Sequence, residues 1–287
     1  MKIRPYKLSQ LAMGDFMLAG YSVAGEESVV VAPELDVVFD IGRCPREALA
    51  VNHLLLTHGH ADHVAGLPYY FAQRDFQGIA NGTALVPARL DRPLRELMSA
   101  WGRVEGHVPP HTFVPLRDGD EHAIRRGLLA RAFKTRHCAG SLGYALVEVR
   151  RKLKPELADR TGPQLVELKK QGVEIENRIE VPLVAYLGDT AASNYADLPH
   201  VRDARALLVE CTFFEPDHLD RARAGRHLHV VDLPAMLEGM NNERIIIIHV
   251  TRRTGVSAAR KILRKALAAD TLERVTFLMS SRHVGPE

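Results

Sequence analysis

The chain has 287 residues, 46% of them hydrophobic and 25% charged, an ordinary globular composition that excludes collagen-like, low-complexity and wholly disordered proteins. Its formal net charge of +3 is too small to indicate nucleic-acid binding unless the basic residues cluster. No run of about eighteen apolar residues predicts a membrane span, and three cysteines do not make a disulfide framework. Because the first residues also lack the apolar core of a secretion signal, we expect a cytoplasmic protein with no membrane partner.

Short apolar runs bounded by turn residues predict strands along the whole chain. In order, they cover residues 28–32, 37–39, 53–57, 84–86, 145–149, 183–187, 206–209, 245–250 and 275–279. Helical periodicity predicts helices between several of them, at residues 45–50, 92–104, 162–171, 233–240 and 256–267. Strands interspersed with helices, without a linker rich in Pro, Gly or Ser, favour one α/β domain over residues 1–287.

The segment 150–171 differs from the rest because it is charged and only weakly apolar, so we interpret it as an excursion from the core. It begins with a cluster of basic residues: Arg150, Arg151, Lys152 and Lys154. Taken alone, a run of this kind is more often a solvated surface than a binding site.

The 14 histidines are the unusual feature of the composition. Four metal-ligand residues stand together in LLLTHGHADHVAGL, directly after a predicted strand: His58, His60, Asp62 and His63. Imidazole and carboxylate suit Zn²⁺ and similar ions, which need several donors at about 2.0–2.2 Å. In a tight loop the first two and the last two of these side chains can face different ways, so one segment can serve two adjacent metal sites. The alternative, a polar loop of unpaired surface histidines, does not explain this density of ligands.

Three later residues stand next to predicted strands and can complete the coordination: His137, Asp189 and His249. Each one alone is more simply explained as a turn aspartate or as a hydrogen-bonded histidine at a strand end. Together they predict that the donors converge on one edge of a sheet, where α/β folds bind ligands.

With these donors, the sequence resembles the metallo-β-lactamase superfamily, whose fold is an αβ/βα sandwich with a two-metal site. Within it, the chain resembles the ribonuclease Z (tRNase Z) family in its plant-type short form, from about residue 20 to residue 264. The matching stretches are FDIGRCP, THGHADHVAGLP, RKLK with GVEI, LGDT, ECTF and RHLHVVDL. The histidine loop is common to many hydrolases, whereas ECTF with RHLH and IIIIHVTRR is much more particular to tRNase Z.

The resemblance implies that the protein holds two divalent metal ions. One ion would be bound by three histidines: His58, His60 and His137. The other would be bound by Asp62, His63 and His249. Asp189 would bridge the two ions. Zn²⁺ is the expected metal, although this ligand set also accepts Mn²⁺ or Fe²⁺.

The resemblance also implies roles in proton transfer. Glu210 and His227 match a pair that delivers a proton to the leaving oxygen, and Asp62 could accept the proton of the attacking water. His227 rather than His229 matches, because it keeps the family's spacing to the last metal ligand. Asp40, in FDIG, would support the ligand loop.

The implied activity is endonucleolytic removal of 3′ trailers from precursor tRNA, by hydrolysis of a phosphodiester that leaves a tRNA 3′-OH. An inserted arm at about residues 150–180 would grip the tRNA, and Arg252 and Arg253 would add positive charge beside the site. A homodimer is implied because the arm of one subunit serves the other's active site. Two features depart from the family: the arm lacks the long glycine-rich form, and HVTRR replaces the usual serine and Arg-Tyr.

Two other functions remain open from the sequence. The first is another hydrolase of the same fold, acting on a small phosphodiester, thioester or lactone, and Glu210, His227 and the basic arm argue for the nuclease instead. The second is a non-catalytic RNA-binding relative. An RNA-binding module has no use for seven metal ligands, so the complete set argues against that function.

Overall fold

The structure, a computed structural model, describes residues 8–278 of the chain. Its strands in this range are β1 (Ser9–Ala12), β2 (Met17–Val23), β3 (Glu27–Ala32), β4 (Val37–Phe39), β5 (His53–Leu55), β6 (Thr83–Pro87), β7 (Thr112–Leu116), β8 (Glu121–Arg125), β9 (Leu128–Lys134), β10 (Leu142–Leu153), β11 (Glu176–Tyr186), β12 (Ala206–Glu210), β13 (Arg244–Ile248) and β14 (Val275–Phe277). The α-helices are α1 (Ala61–Val64), α2 (Leu67–Phe76), α3 (Asp91–Glu105), α4 (Gly162–Lys170), α5 (Pro199–Arg202), α6 (Leu219–Gly225), α7 (Leu233–Leu237), α8 (Val256–Ala266) and α9 (Ala269–Arg274).

The strands form two seven-stranded sheets with the same plan. In the first sheet, β1 to β4 are antiparallel and β4 to β7 are parallel. In the second sheet, β8 to β11 are antiparallel and β11 to β14 are parallel. Each sheet therefore presents the carboxyl ends of a parallel set of strands, which is where such folds carry their functional loops.

Three apolar clusters hold these layers together. The central cluster joins the two sheets and includes Phe39 stacked on Tyr186, with ring centroids 4.9 Å apart. The outer face of the first sheet packs against α2 and α3 through residues such as Phe71 and Met98. The outer face of the second sheet packs against α8 through Leu263. The layers are thus helix, sheet, sheet and helix, as predicted.

Each predicted strand lies on an observed one, and the end of the last, Met279, is outside the described residues. The helix predicted at 45–50 is wrong: Arg46–Ala50 is a 3-10 helix, a form that short connecting segments often take. The helix predicted at 233–240 ends at Leu237. The sequence did not reveal β1, β2, β7, β8 or β9, nor the helices α1, α2, α5, α6 and α9. The exposed β8 lacks a clear apolar run, and the aromatic residues of α2 also suit strands.

The charged excursion is a two-stranded ribbon. β10 pairs with β9 only as far as Glu148, whereas it pairs with β11 to the end, where Leu153 faces Glu176. Helix α4 lies in the connection between the two strands, so the ribbon extends beyond the sheet. Its length follows from the strand rise of about 3.3 Å per residue, which places Leu153 roughly 36 Å along the strand from Leu142.

The chain after β4 packs directly on the predicted ligand loop. A Cβ atom added to Gly42 would lie 1.8 Å from the carbonyl oxygen of Asp62, and one added to Gly66 would lie 2.7 Å from that of Ile41. Only glycine permits this contact between main chains, so the close approach is part of how the loop is held.

Candidate metal centre

The chemically important side chains meet at one edge of the sandwich. The loop after β5 and the start of α1 carry the histidine motif, and the connection between β9 and β10 carries His137. Asp189 lies three residues after the end of β11, His249 directly follows β13, and Glu210 ends β12. Because the carboxyl ends of parallel strands lie side by side, residues far apart in the sequence become neighbours.

All seven predicted ligands lie in groups whose donor atoms are within 4.8 Å of one another. The first group is His58, His60, His137 and Asp189. The second is Asp62, His63 and His249. A third combination joins Asp189 and His249 to the predicted proton-donor pair, Glu210 and His227. These groups are able to bind metal, because imidazole nitrogen and carboxylate oxygen are what Zn²⁺ and related ions take as ligands.

Asp189 lies at the centre of the cluster. Its Oδ2 atom is 3.7 Å from Nε2 of His58 and 3.8 Å from Nε2 of His137, both in the first group. The same oxygen is 3.4 Å from Nε2 of His63 and 3.4 Å from Nε2 of His249, both in the second. One carboxylate therefore faces both groups, which is the position that a bridging ligand requires.

The donors fit a bound cation by their chemistry and their surroundings. His63 Nε2 and Asp189 Oδ1 are buried and have no hydrogen-bond partner among residues 8–278, and polar atoms are rarely buried in this way without a ligand. Burial raises the pKa of Asp189, but the charges of His249 and His63 outweigh it and hold the pKa well below its usual value. Burial lowers the pKa of His58 most, and the charge of His63 adds to this, so the ring is neutral as a metal ligand must be.

Asp40, directly after β4, is a fully buried carboxylate that orients the ligand loop. It accepts hydrogen bonds from the amide and the hydroxyl of Thr57, at 2.8 and 2.9 Å, and from the hydroxyl of Tyr186, at 2.9 Å. It also lies 2.8 Å from Nδ1 of His63. The Thr57 hydroxyl oxygen is in turn 2.9 Å from Nδ1 of His58. Since the hydroxyl donates its only proton to Asp40, it accepts from the imidazole, and both histidines present Nε2 to the cluster.

Glu210 orients the histidines of the second sheet in the same manner. Its Oε1 accepts from the amide of Thr190 at 2.8 Å and lies 2.9 Å from Nδ1 of His227. Its Oε2 accepts from the hydroxyl of Thr212 at 2.6 Å, and that hydroxyl oxygen is 2.9 Å from Nδ1 of His249. Because both of its oxygens are engaged, Glu210 supports the neighbouring side chains and is not free to coordinate.

Backbone strain concentrates at this edge. Four non-glycine residues among 8–278 have positive φ, and three of them belong to the site: Asp40 at 51°, Arg226 at 56° and His249 at 56°. Such conformations cost about 1–3 kcal/mol each and persist only where the surroundings enforce them. The amide of His249 donates to Ser22 Oγ at 3.0 Å. The carbonyl of Arg226 lies 3.2 Å from Nδ1 of His137.

His227 lies at the rim of the cluster, half-buried, with its ring 4.8 Å from that of His137 and 5.3 Å from that of His249. Burial lowers its pKa, but the charge and hydrogen bond of Glu210, with the charge of Asp189, raise the pKa to about 9. The carboxylate of Glu210 therefore favours the protonated ring, which places a proton next to the cluster.

The ring nitrogens of His229 form hydrogen bonds with the main chain instead. Its Nδ1 accepts from the amide of Val231 at 3.3 Å, and its Nε2 donates to the carbonyl of Glu215 at 2.9 Å. These contacts cap the turn Val230–Asp232 and give His229 a structural role.

The cluster opens into a cleft of about 450 Å³, whose wall includes Arg221 and Arg253. Arg253 is one of the predicted substrate contacts. Arg221 was not predicted, because the spacing of the arginines in RARAGR gives no signal of what each one faces. The predicted Arg252 is engaged elsewhere, in an ion pair with Glu26.

The basic residues of the ribbon are not brought to the cluster. Arg150 pairs with Glu148 at 2.7 Å, and Arg151 pairs with Glu176 at 3.8 Å. Lys152 is exposed on the ribbon, and Lys154 follows its first strand. All four lie along or beyond a strand that starts beside the cluster and runs away from it, so they serve a different part of any substrate.

Comparisons with known proteins agree with this fold. Residues 35–250 match the family described as the beta-lactamase superfamily domain. The protein tRNase Z TRZ1 of Arabidopsis thaliana is 32% identical over 250 residues, covering 86% of this chain and 89% of that protein. The solved structure of human short-form tRNase Z, 16% identical, covers 82% of this chain and 92% of its own with a TM-score of 0.56. The metallo-beta-lactamase fold protein YhfI from Bacillus subtilis, 12% identical, covers 96% of this chain and 98% of its own with a TM-score of 0.64.

The sandwich of two sheets and the donor groups at its edge define a metal-dependent hydrolase of the metallo-β-lactamase fold. The chain belongs to the β-lactamase superfamily and, within it, to the tRNase Z family. Both the fold class and the family resemblance predicted from the sequence are confirmed. No helix within residues 8–278 is long and apolar enough to cross a membrane.

The threonine contacts generate a prediction about metal affinity. Replacing Thr212 with valine keeps the shape of the side chain but leaves Nδ1 of His249 without a buried partner, and it leaves Oε2 of Glu210 with only the amide of Leu228. We expect metal affinity to fall about 10–100-fold, as for other residues that orient metal ligands. The metal affinity is measured by competition with a chromogenic chelator. Thr212→Ser, which keeps the hydroxyl, is the matched control, and equal affinity in the valine variant would contradict the orienting role.

Proposed function

We propose that the protein is an endoribonuclease that removes 3′ trailers from precursor tRNA by hydrolysing one phosphodiester and leaving a tRNA 3′-OH. The observation that carries this proposal is the pair of His227 and Glu210 at the rim of the cluster, 2.9 Å apart. The ribose 3′ oxygen is a poor leaving group and needs an acid of this kind, whereas an activated ester does not. The relatives named tRNase Z support the same substrate.

We assign the two groups of donors to two divalent ions. His58, His60 and His137 would hold one ion, and Asp62, His63 and His249 the other. Asp189 would contact both. Zn²⁺ is the first candidate, and Mn²⁺ or Fe²⁺ suits the same donors. When bound, such ions lower the pKa of water and neutralise charge on phosphate oxygens.

The side chains of the chain supply the proton transfers. Asp62 is half-buried at the edge of the cleft and accepts the amide of Gly25 at 2.8 Å, so its carboxylate is placed to take the proton of the attacking water. His227 bonds Glu210 through Nδ1 and therefore gives a proton from Nε2 to the departing 3′ oxygen. Arg221 and Arg253, on the wall of the cleft, bind the anionic backbone on either side of the scissile bond.

We further propose that the ribbon is the tRNA-binding arm and that it acts within a homodimer. The arm comprises about residues 150–180 and carries Arg150, Arg151, Lys152 and Lys154. The amide of Leu142 donates to the carbonyl of Thr57, so the ribbon starts at its own cluster and its tip is far from it. Exposed apolar side chains on α2 and α3 would be available to a second copy: Tyr69, Phe76, Trp101 and Val104. Apart from this arm, residues 1–287 are predicted to form a single domain.

The substrate is tested with two compounds in parallel, a 3′-extended tRNA and a bis-aryl phosphodiester. We expect the metal-loaded protein to cut the tRNA at one position, giving a 3′-OH and a trailer with a 5′ phosphate, at a higher kcat/KM than the small ester. Asp189→Ala is the control for contaminating nuclease and is expected to lose its metal. Cleavage of the ester without cleavage of the tRNA would mean that the protein is a small-molecule hydrolase. A protein that binds RNA but takes up no metal would instead be an RNA-binding module.

The role of His227 is tested by changing the leaving atom. We expect His227→Ala to keep both ions but to lower kcat for precursor tRNA by about 10²–10⁴-fold, because the leaving oxygen loses its acid. A substrate in which sulfur replaces the bridging 3′ oxygen should be cut almost as fast by the variant as by the native protein, since a thiolate is a far weaker base than an alkoxide. Loss of metal in the variant would instead make His227 a ligand.

The arm is tested by mixing two inactive variants. One carries Asp189→Ala, and the other has residues 154–175 replaced by Asn-Gly, which closes the ribbon where Leu153 pairs with Glu176. If the arm of one subunit serves the other's site, an equal mixture with random subunit exchange recovers about half of the native activity per intact site, while each variant alone is inactive on tRNA. A sedimentation experiment reports whether mixed dimers form. Mixed dimers without activity would contradict the arrangement.

A further inference from the structure

A second recess adjoins the metal centre, and apart from His137 and Arg226 its lining has no part in the contacts described so far. It has a volume of about 600 Å³ and is formed mainly by the connection between β9 and β10, with Ala191 and Arg226 on its far side. His137 belongs to its lining as well as to the first donor group, so the recess and the cluster share one wall. Its volume lies within the usual range for ligand sites.

The lining of this recess, called here the His137 recess, is strongly basic. Lys134 and Arg136 are exposed, and neither side chain has a hydrogen bond or an ion pair with any residue of the described part of the chain. The nearby carboxylate of Asp118 accepts the amide of Lys134 and leaves its ammonium unpaired. Arg89 lies against the turn, within 3.4 Å of a Cβ placed on Gly140. Unpaired cations around a concave surface concentrate positive potential and attract anions.

The floor of the His137 recess offers main-chain donors as well. The turn from Cys138 to Ser141 closes with the amide of Ser141 donating to the carbonyl of Cys138, and Gly140 has φ +78°. The amides of Ala139 and Gly140 donate to no acceptor within residues 8–278. Successive free amides in a tight turn are a common binding site for phosphate.

The position of the recess identifies which part of an RNA would reach it. Arg226 lines the recess, donates from its guanidinium to the carbonyl of His137 at 3.1 Å, and is followed directly by His227. The recess is therefore on the same side of the cluster as the proposed proton donor. The oxygen that receives this proton belongs to the last nucleotide of the tRNA, so that nucleotide and the phosphate before it lie toward the recess.

We propose that the His137 recess binds the backbone phosphate one nucleotide 5′ of the scissile bond, through Lys134, Arg136 and the amides of the turn. This inference rests on the proposed nuclease function and adds to it a site on the tRNA side of the cut. It makes Lys134 and Arg136 substrate-positioning residues, which hold the 3′ end of the tRNA body while the trailer departs from the opposite side.

The test combines charge-neutral variants with charge-neutral substrates. Lys134→Gln, Arg136→Gln and the double variant are compared with Arg103→Gln, which removes one exposed charge from α3. The substrates are a 3′-extended tRNA, the same RNA with a methylphosphonate at the phosphate 5′ of the cleavage site, and one with a methylphosphonate at the first phosphate inside the trailer. KM and kcat are measured at several salt concentrations with the metal-loaded protein.

We expect the double variant to raise KM about tenfold or more with little change in kcat, and to lower the slope of log KM against log salt by about 0.7–0.9 per cation removed. The 5′ methylphosphonate should raise KM for the native protein and have no further effect on the double variant, because both changes remove the same contact. The trailer methylphosphonate should act equally on both proteins.

Additive effects of the double variant and the 5′ methylphosphonate would overturn the proposal, as would loss of metal from the variants or an effect of Arg103→Gln of the same size. Failure of the native protein to cut any 3′-extended tRNA would reject the nuclease function instead. In that case, RNA binding to the native protein and to the double variant is measured by fluorescence anisotropy at several salt concentrations, which tests the recess separately. A salt slope that is lower in the double variant supports an RNA-phosphate site there, and an unchanged slope rejects it.

Discussion

The site depends above all on two buried carboxylates, Asp40 and Glu210. A buried charge costs several kcal/mol unless its hydrogen bonds are satisfied, and each of these groups is satisfied by main-chain amides, hydroxyls and imidazoles from the loops around it. The same bonds decide which nitrogen of each ring carries the proton. Ligand loops, tautomers and the proton donor are therefore consequences of one constraint, that both carboxylates must be fully bonded.

Both halves of the sandwich satisfy the hydrogen bonds of their buried carboxylate in the same way. Asp40 directly orients one histidine and reaches a second through the hydroxyl of Thr57, while Glu210 does the same through Thr212. Each carboxylate stands at the carboxyl end of a parallel strand in its own seven-stranded sheet. Asp189 lies between the two arrangements, facing nitrogens from both. The edge between the sheets thus combines two similar arrangements. In each of them, a buried carboxylate orients the imidazoles of its own half.

Much of the site could be predicted from the sequence, because its first part is local. The loop from His58 to His63 has its ligands within six positions, and imidazole at that density has few other uses. The basic residues were harder to interpret. Arg252 is paired with Glu26, far away in the sequence, whereas Arg221, Lys134 and Arg136 border recesses without any signal in their spacing. Whether a cation is free depends on which carboxylate the fold places next to it, and local sequence does not carry that information.

The sequence by itself determined nine of the fourteen strands within residues 8–278, the α/β class and the family, and it predicted the seven candidate ligands. It could do so because short apolar runs and tightly spaced donors act over a few residues. Only the tertiary structure decided that Asp189 faces both donor groups, that Thr57 and Thr212 connect carboxylates to imidazoles, and that the ribbon leads away from its own cluster. Some of these contacts join residues more than a hundred positions apart, as Asp189 and His58 do, and they exist only because parallel strands of two sheets end at a common edge.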